Sequence, residues 1–201
     1  MKPRLSVILA LLAVGLAARL IPYVLAQFGM ALEPGNTTYP WNFSPFLPIC
    51  LFGGAMFART RTVYLVPFAA WLLGDLGIWA LTGRADWAFY AHQPVIYLSV
   101  ALVAFIGFAL RRGRSWKRVA GAGLGSSLAF FVLSNFGVWA FGGGAIYPLN
   151  FAGLVECYVM AIPYLRNTLI SMAVFLPILF SRVALTKPVT APQYEFAASR
   201  T

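Results

Sequence analysis

The sequence predicts an all-α integral membrane protein, a bundle of six transmembrane helices with both termini in the cytoplasm. First, 61% of the residues are hydrophobic, only 10% are charged, and the mean hydropathy is +0.79. Such a composition leaves too little polar surface to cover a soluble globule. Second, twelve of the fifteen Lys and Arg residues fall in four clusters separated by pairs of apolar segments. Because positive charge marks the cytoplasmic side of short loops, the clusters also orient the chain.

The basic clusters define the predicted cytoplasmic side. They are Lys2 and Arg4; Arg59 and Arg61; Arg111, Arg112, Arg114, Lys117 and Arg118; and Arg182, Lys187 and Arg200. At this position their expected partner is the anionic headgroups of the bilayer, and we expect no binding of nucleic acid. Only Arg19, Arg84 and Arg166 lie elsewhere, and Arg19 and Arg166 belong to hydrophobic segments.

Six apolar segments are predicted to cross the bilayer, because a helix needs about 20 apolar residues to span the hydrocarbon core. Their bounds are about 5–27, 44–58, 62–82, 92–111, 119–140 and 164–185. The first resembles a signal peptide at its basic start, which leaves cleavage as an alternative, but its apolar stretch is longer than a signal core. The second is short and contains two Pro and two Gly, so we expect it to be broken or tilted and buried.

The connections on the opposite side differ in composition from the basic loops. Residues 28–43 contain Pro, Gly, Asn and aromatic residues without Lys or Arg, as expected of an extracytoplasmic loop. Residues 141–163 predict a loop followed by a short helix in the outer interface. The domain prediction is therefore a transmembrane domain of residues 1–186 and a polar cytoplasmic tail of residues 187–201.

Several chemistries are not indicated. The single histidine, His92, excludes a bis-histidine haem site, and the two cysteines do not form a CxxC motif. The patterns GxSxG, HExxH and GxxxxGK[ST] do not occur. We therefore expect no enzymatic activity, no cofactor and no metal centre.

Polar residues of four predicted helices lie in one layer. At 1.5 Å per residue, Arg19, Asp75, Asn135 and Arg166 all lie roughly 20 to 24 Å from the cytoplasmic end. Charges in lipid are expensive, so these residues should point inward, with Asp75 paired to Arg19 or Arg166. The layer predicts a polar cavity in the outer half of the bundle. The alternative is a structural clamp between helices, with the arginines reaching towards headgroups.

The predicted substrate-binding set extends this layer with neighbouring polar and aromatic residues. It comprises Arg19, Asn42, Asp75, Asn135, Trp139, Cys157, Tyr158, Arg166 and Asn167. Arg166 and Asn167 are predicted at a helix start, where free backbone N–H groups attract anions. These donors favour an anionic or amide-rich small ligand. A thiolate at Cys157 could ligate a soft metal, although packing is the alternative.

On the first helix, Ala13 and Ala17 form a small-residue stripe that lets another helix approach closely. Arg19 is about 200° around the helix from Ala17, so the stripe and the cavity use opposite faces. We expect Ala13 and Ala17 to form a partner interface; ordinary packing within the chain is the alternative.

A family resemblance appears in five segments. They are NFSP (42–45), LFGGAMF (51–57), LLGD (72–75), SNFGVW (134–139) and ECYVMAIPYLRNTL (156–169). In this order they resemble an uncharacterised bacterial family of six-helix proteins assigned to transport, over about residues 5–183. That family is similar to the substrate-binding components of energy-coupling-factor transporters, which capture vitamins. In those relatives an AxxxA stripe on the first helix docks the coupling subunit, and Ala13 and Ala17 match it.

The resemblance and the polar layer together predict function. We expect a substrate-binding component or solitary importer that captures a small, water-soluble, vitamin-like nutrient in the bacterial cytoplasmic membrane. A coupling membrane subunit with ATP-binding cassette ATPases is the partner that the resemblance implies. The alternative is a structural or assembly subunit of a larger membrane complex without transport activity.

Overall fold

The computed structural model describes residues 2–30 and 39–186, and these are mainly helical. The helices are α1 (Leu5–Gln27), α2 (Phe46–Met56), α3 (Thr60–Thr82), α4 (Ala85–Ala88), α5 (Gln93–Gly107), α6 (Trp116–Phe141) and α7 (Phe151–Leu179). A 3-10 turn, Phe108–Arg112, follows α5, and two short strands, β1 (Lys2–Pro3) and β2 (Leu185–Thr186), pair antiparallel. The predicted tail, 187–201, and residues 31–38 of the predicted outer loop lie outside the described residues.

Five helical segments are long and apolar enough to cross a membrane. They are Leu5–Gln27, Thr60–Thr82, Ala85–Arg112, Trp116–Phe141 and Phe151–Leu179. Many large apolar side chains on these segments are exposed, among them Leu9, Leu73 and Leu98. So much exposed apolar surface is typical of a protein that contacts lipid or other apolar partners. The predicted all-α class is confirmed.

The second predicted span, 44–58, is corrected to a half-length helix. Helix α2 has 11 residues and is roughly 16 Å long, too short to cross a hydrocarbon core of about 30 Å. It is preceded by irregular chain, because Pro45 and the positive φ of Asn42 (67°) are incompatible with a continuous helix there. As expected for a short, Gly-containing segment, ten of its residues are buried, Phe46 to Ala55.

Glycines allow α2 to sit in the centre of the bundle. A Cβ added to Gly54 would lie 2.0 Å from the carbonyl oxygen of Ala104 on α5. A Cβ added to Gly107 would lie 2.2 Å from the carbonyl oxygen of Leu51 on α2. The two backbones therefore touch where both helices lack side chains, as small residues permit in membrane bundles.

The last helix also differs from the prediction. The expected separate interfacial helix within 141–163 and the last span, 164–185, form one continuous helix, α7, of 29 residues. Asn150 starts it by accepting a hydrogen bond from the Gly153 N–H, and Pro163 is accommodated inside it. Arg166 and Asn167 are therefore in the middle of a helix, and the predicted helix start with free N–H groups is wrong.

The two ends of the described bundle are distinct. At one end, β1 pairs with β2 and the Arg4 N–H donates to the Ala184 oxygen at 2.8 Å. At the other end, Gln27 Nε2 donates to the Leu81 oxygen at 2.8 Å, which joins the ends of α1 and α3. The start of the chain and the segment after α7 therefore share one end. We refer to the two ends as the strand end and the α4 end.

Candidate functional site

A cavity of about 450 Å³ lies between α1, α3, α6, α7 and the irregular chain before α2, in the half of the bundle towards the α4 end. Its volume is within the range of about 300 to 1,000 Å³ typical of small-molecule sites. Twelve of the residues that line it are aromatic. They are Tyr23, Tyr39, Trp41, Phe43, Phe46, Trp71, Trp87, Tyr90, Phe130, Phe131, Tyr147 and Tyr164.

Arg19 reaches the cavity from α1 and forms an ion pair with Asp75 of α3. Asp75 is fully buried, and its carboxylate also accepts hydrogen bonds from Gln93 Nε2 and from the Tyr97 hydroxyl, the latter at 2.9 Å. Gly74 makes room, because a Cβ there would lie 2.5 Å from Arg19 Cδ. The prediction that Asp75 pairs with Arg19 or Arg166 is confirmed for Arg19. Asp75 stands behind Arg19 and does not line the cavity.

One wall of the cavity is the irregular segment 39–45, which we call the descending segment. Its backbone and side chains are tied to two helices. The Tyr39 hydroxyl donates to the Ala18 oxygen on α1, and Asn167 Nδ2 on α7 donates to the Trp41 oxygen at 2.8 Å. Non-helical backbone is tolerated at membrane depth where it lines a cavity or is buried in protein. The segment brings Asn42, a predicted binding residue, to the cavity surface.

Helices α6 and α7 form another wall. Asn135 and Cys157 line the cavity as predicted, and the Cys157 thiol lies 3.4 Å from the Asn135 carbonyl oxygen, to which it donates. Trp139 and Tyr158, which also belong to the predicted binding set, do not line it. Trp139 Nε1 donates to the Pro148 oxygen at 3.0 Å and the Tyr158 hydroxyl to the Val132 oxygen at 2.8 Å. Both side chains therefore hold α6, α7 and their connection together.

Arg166 does not reach the cavity. It is exposed on the outside of α7, whereas Thr168 lines the cavity. Residues two positions apart in an α-helix differ by about 200° around the helix axis, so the side chains of Arg166 and Thr168 point in nearly opposite directions. Arg166 has no ion-pair partner within residues 2–30 and 39–186. Asn167, also predicted as a ligand contact, holds Trp41 in place instead.

Cys157 is buried and forms no disulfide bond within the described residues. Within the described part of the chain, no group of three His, Cys, Asp or Glu residues could hold a metal ion. Cys157 packs between α6 and α7 and contributes to the cavity lining.

Sequence reasoning missed most of the aromatic lining. Trp71 precedes Asp75 by four residues, and Tyr23 follows Arg19 by four. Residues four apart share a helix face, so the polar layer could have identified both rings. Tyr90 and the residues of the descending segment could not be identified in this way, because they belong to non-helical chain, where residues four apart do not share a face.

The predicted partner stripe on α1 lies on the side away from the cavity. Ala13 and Ala17 are exposed, while Ala18, Arg19 and Tyr23 line the cavity. Packing of the stripe inside the chain, the alternative interpretation, is therefore wrong within the described residues. The stripe leaves an apolar surface of small side chains available to another helix.

Comparison with known proteins identifies one family. A family model described as "Family of unknown function (DUF6580)" matches residues 1–194. No curated protein and no solved structure shows significant similarity to the chain. The resemblance to energy-coupling-factor components thus stays a prediction.

Proposed function

Since the chain belongs to DUF6580, a family of unknown function, we propose its function from the geometry of the cavity. The protein is a membrane-embedded substrate-binding component or solitary importer that captures a small, water-soluble, vitamin-like nutrient. The observation that carries the proposal is the aromatic cavity of about 450 Å³ that opens beside a fixed Arg19–Asp75 pair. Capture from a dilute medium needs a pre-formed site that combines stacking surfaces with fixed polar groups.

The pre-formed walls support capture. Arg19 is held by Asp75, Trp41 by Asn167, and Tyr39 by the Ala18 oxygen. Side chains fixed in this way lose little conformational freedom when a ligand binds, so more of the contact energy appears as affinity. An arginine and an aspartate buried among apolar helices are themselves expensive, and such residues commonly mark substrate sites.

The proposed topology has six crossings, with the strand end in the cytoplasm of a bacterial cell and the cavity towards the outside. Five crossings are the long apolar helices, and the sixth is the descending segment followed by α2. Exposed basic residues support this orientation, because Arg59, Arg61, Arg112 and Lys117 belong to loops and helix starts on the proposed cytoplasmic side.

The proposed partner is a coupling membrane subunit that carries ATP-binding cassette ATPases. It would dock on the exposed Ala13 and Ala17 of α1, where small side chains allow close approach of a second helix. Because this face is opposite to the one that carries Arg19, docking would leave the cavity accessible. A solitary importer would need no such partner.

The direct test is recovery of a ligand. The protein is purified in mild detergent from its native membranes, denatured, and the released small molecules are identified by mass spectrometry. A stoichiometric compound that is absent from an Asn135→Leu preparation supports the proposed site. Asn135 lines the cavity, and among the described residues its side chain bonds only to the carbonyl of Phe131 on its own helix. Equal recovery from both proteins would place the compound elsewhere.

A structural or assembly subunit is the second candidate, favoured by Arg166. This exposed cation on an apolar helix would be costly in lipid and would gain from a carboxylate on a partner protein. Copurification separates the two functions. Recovery with cassette ATPases and a coupling subunit supports transport, whereas recovery with electron-transfer chains supports assembly.

A further inference from the structure

We propose that the occupant of the cavity is an uncharged, planar heteroaromatic molecule. This inference rests on the proposed function and names the class of substrate. It follows from two properties of the cavity: its charge and its rings.

The charge of the cavity is already balanced. Among the described residues that line the cavity, Arg19 is the one that carries a charge, and the carboxylate of Asp75 pairs with it from behind. An anionic ligand would therefore enter an apolar site without a free counter-charge, which is strongly unfavourable. A cationic ligand would be repelled by the positive charge of Arg19. The expectation of an anionic or amide-rich ligand is thus narrowed to a neutral, amide-like one.

The rings surround the cavity from several elements. Trp71 of α3 lies with its ring centroid 5.8 Å from that of Phe46 and 6.2 Å from that of Phe130 on α6. Tyr39 and Trp41 pack edge to face at 5.1 Å on the descending segment. Aromatic faces exposed on more than one side favour a flat ring between them, since offset stacking adds to the energy of burial. Sugars and aliphatic acids offer no such face.

The test uses neutral and carboxylated forms of the same ring systems as probes. Binding of pterin, lumazine and lumichrome, and of pterin-6-carboxylate, is measured with the purified full chain in detergent by fluorescence anisotropy. At least one neutral probe should bind, and pterin should bind at least tenfold more tightly than its carboxylate. Trp71→Leu removes one of the rings that surround the cavity and should weaken binding roughly fivefold to tenfold.

The control variant is Trp116→Leu, whose side chain is exposed far from the cavity at the start of α6, and it should leave binding unchanged. Tighter binding of the carboxylate, or equal affinity in the two Trp→Leu variants, would overturn the inference. If the ligand released from the native protein is a carboxylate or a sugar, the substrate class is wrong while capture stands. If nothing is released and no probe binds, the proposed function fails as well.

Discussion

At the scale of single residues, the polar chemistry of this chain is concentrated on one carboxylate. Asp75 is buried among apolar helices, and Arg19, Gln93 and Tyr97 all donate to it. A buried carboxylate is tolerated in a low-dielectric interior when several donors form hydrogen bonds to its oxygens. The same aspartate sets the direction of Arg19 and thereby the polar part of the cavity.

Asp75→Ala should lower the free energy of unfolding by about 3 to 5 kcal/mol, because Arg19 is left as an uncompensated charge. The double variant Arg19→Ala with Asp75→Ala should recover part of this loss. Thermal unfolding in detergent measures both, and the double-mutant cycle isolates the pair.

The exposed pair Arg84 and Asp86 provides the control for this experiment. Asp86→Ala should leave thermal stability unchanged, since exposed ion pairs contribute little. Strictly additive losses in the Arg19 and Asp75 variants would show that the two residues do not stabilise each other.

At the scale of elements, sequence reasoning succeeded for the long apolar helices α1 and α3, although each contains an internal proline, Pro22 or Pro67. The predicted segment 5–27 has the same bounds as α1, and 62–82 differs from α3 only by two residues at its start. It failed for two other segments: α2 is shorter than predicted, and α7 continues through Pro163. Proline normally ends a helix, but tertiary packing keeps Pro163 inside α7. Such packing cannot be read from the local sequence.

The close approach of α2 and α5 gives a prediction at this scale. Gly54→Ala should destabilise the protein by roughly 1 to 3 kcal/mol, because the new methyl group meets the backbone of α5 and one of the helices must shift. Thermal unfolding in detergent is the measurement.

Gly121→Ala in α6 is the matched variant, since no atom lies within 4 Å of its added Cβ. It should be neutral or stabilise by about 0.5 to 1 kcal/mol, as expected of Gly→Ala in a helix interior. Similar stabilities for the two variants would mean that α2 and α5 are not in backbone contact.

At the scale of the whole molecule, the position of the candidate cavity in the bundle could be predicted, but the side chains that line it could not. The polar layer of Arg19, Asp75 and Asn135 located the correct half of the bundle, because depth follows from the helical rise. Which side chains face inward depends on the rotation of each helix about its axis. The depth of the polar layer did not determine this rotation, so the direction of Arg166 could not be predicted from it. The descending segment was not foreseeable, since irregular chain has no periodicity to read.

The proposed orientation of the whole molecule can be tested with two matched Ala→Cys variants. Ala58 lies at the strand end, between α2 and the basic start of α3, and Ala145 lies at the α4 end, between α6 and α7; both are exposed. Cys50 and Cys157 are buried and are replaced by alanine so that one thiol remains. Because the basic residues should be cytoplasmic, Ala145→Cys should react with a membrane-impermeant maleimide in intact cells.

Ala58→Cys should react with the same reagent only after the cells are permeabilised. Gel shift with a polyethylene-glycol maleimide reports both reactions on the full-length chain. Labelling of Ala58→Cys alone in intact cells would invert the topology. The cavity would then open to the cytoplasm, and capture from outside would be impossible. Labelling of both in intact cells would mean that the two ends share one side, which an odd number of crossings between them does not permit. The predicted pattern therefore tests the orientation together with the crossings of α3, α5 and α6, which lie between Ala58 and Ala145.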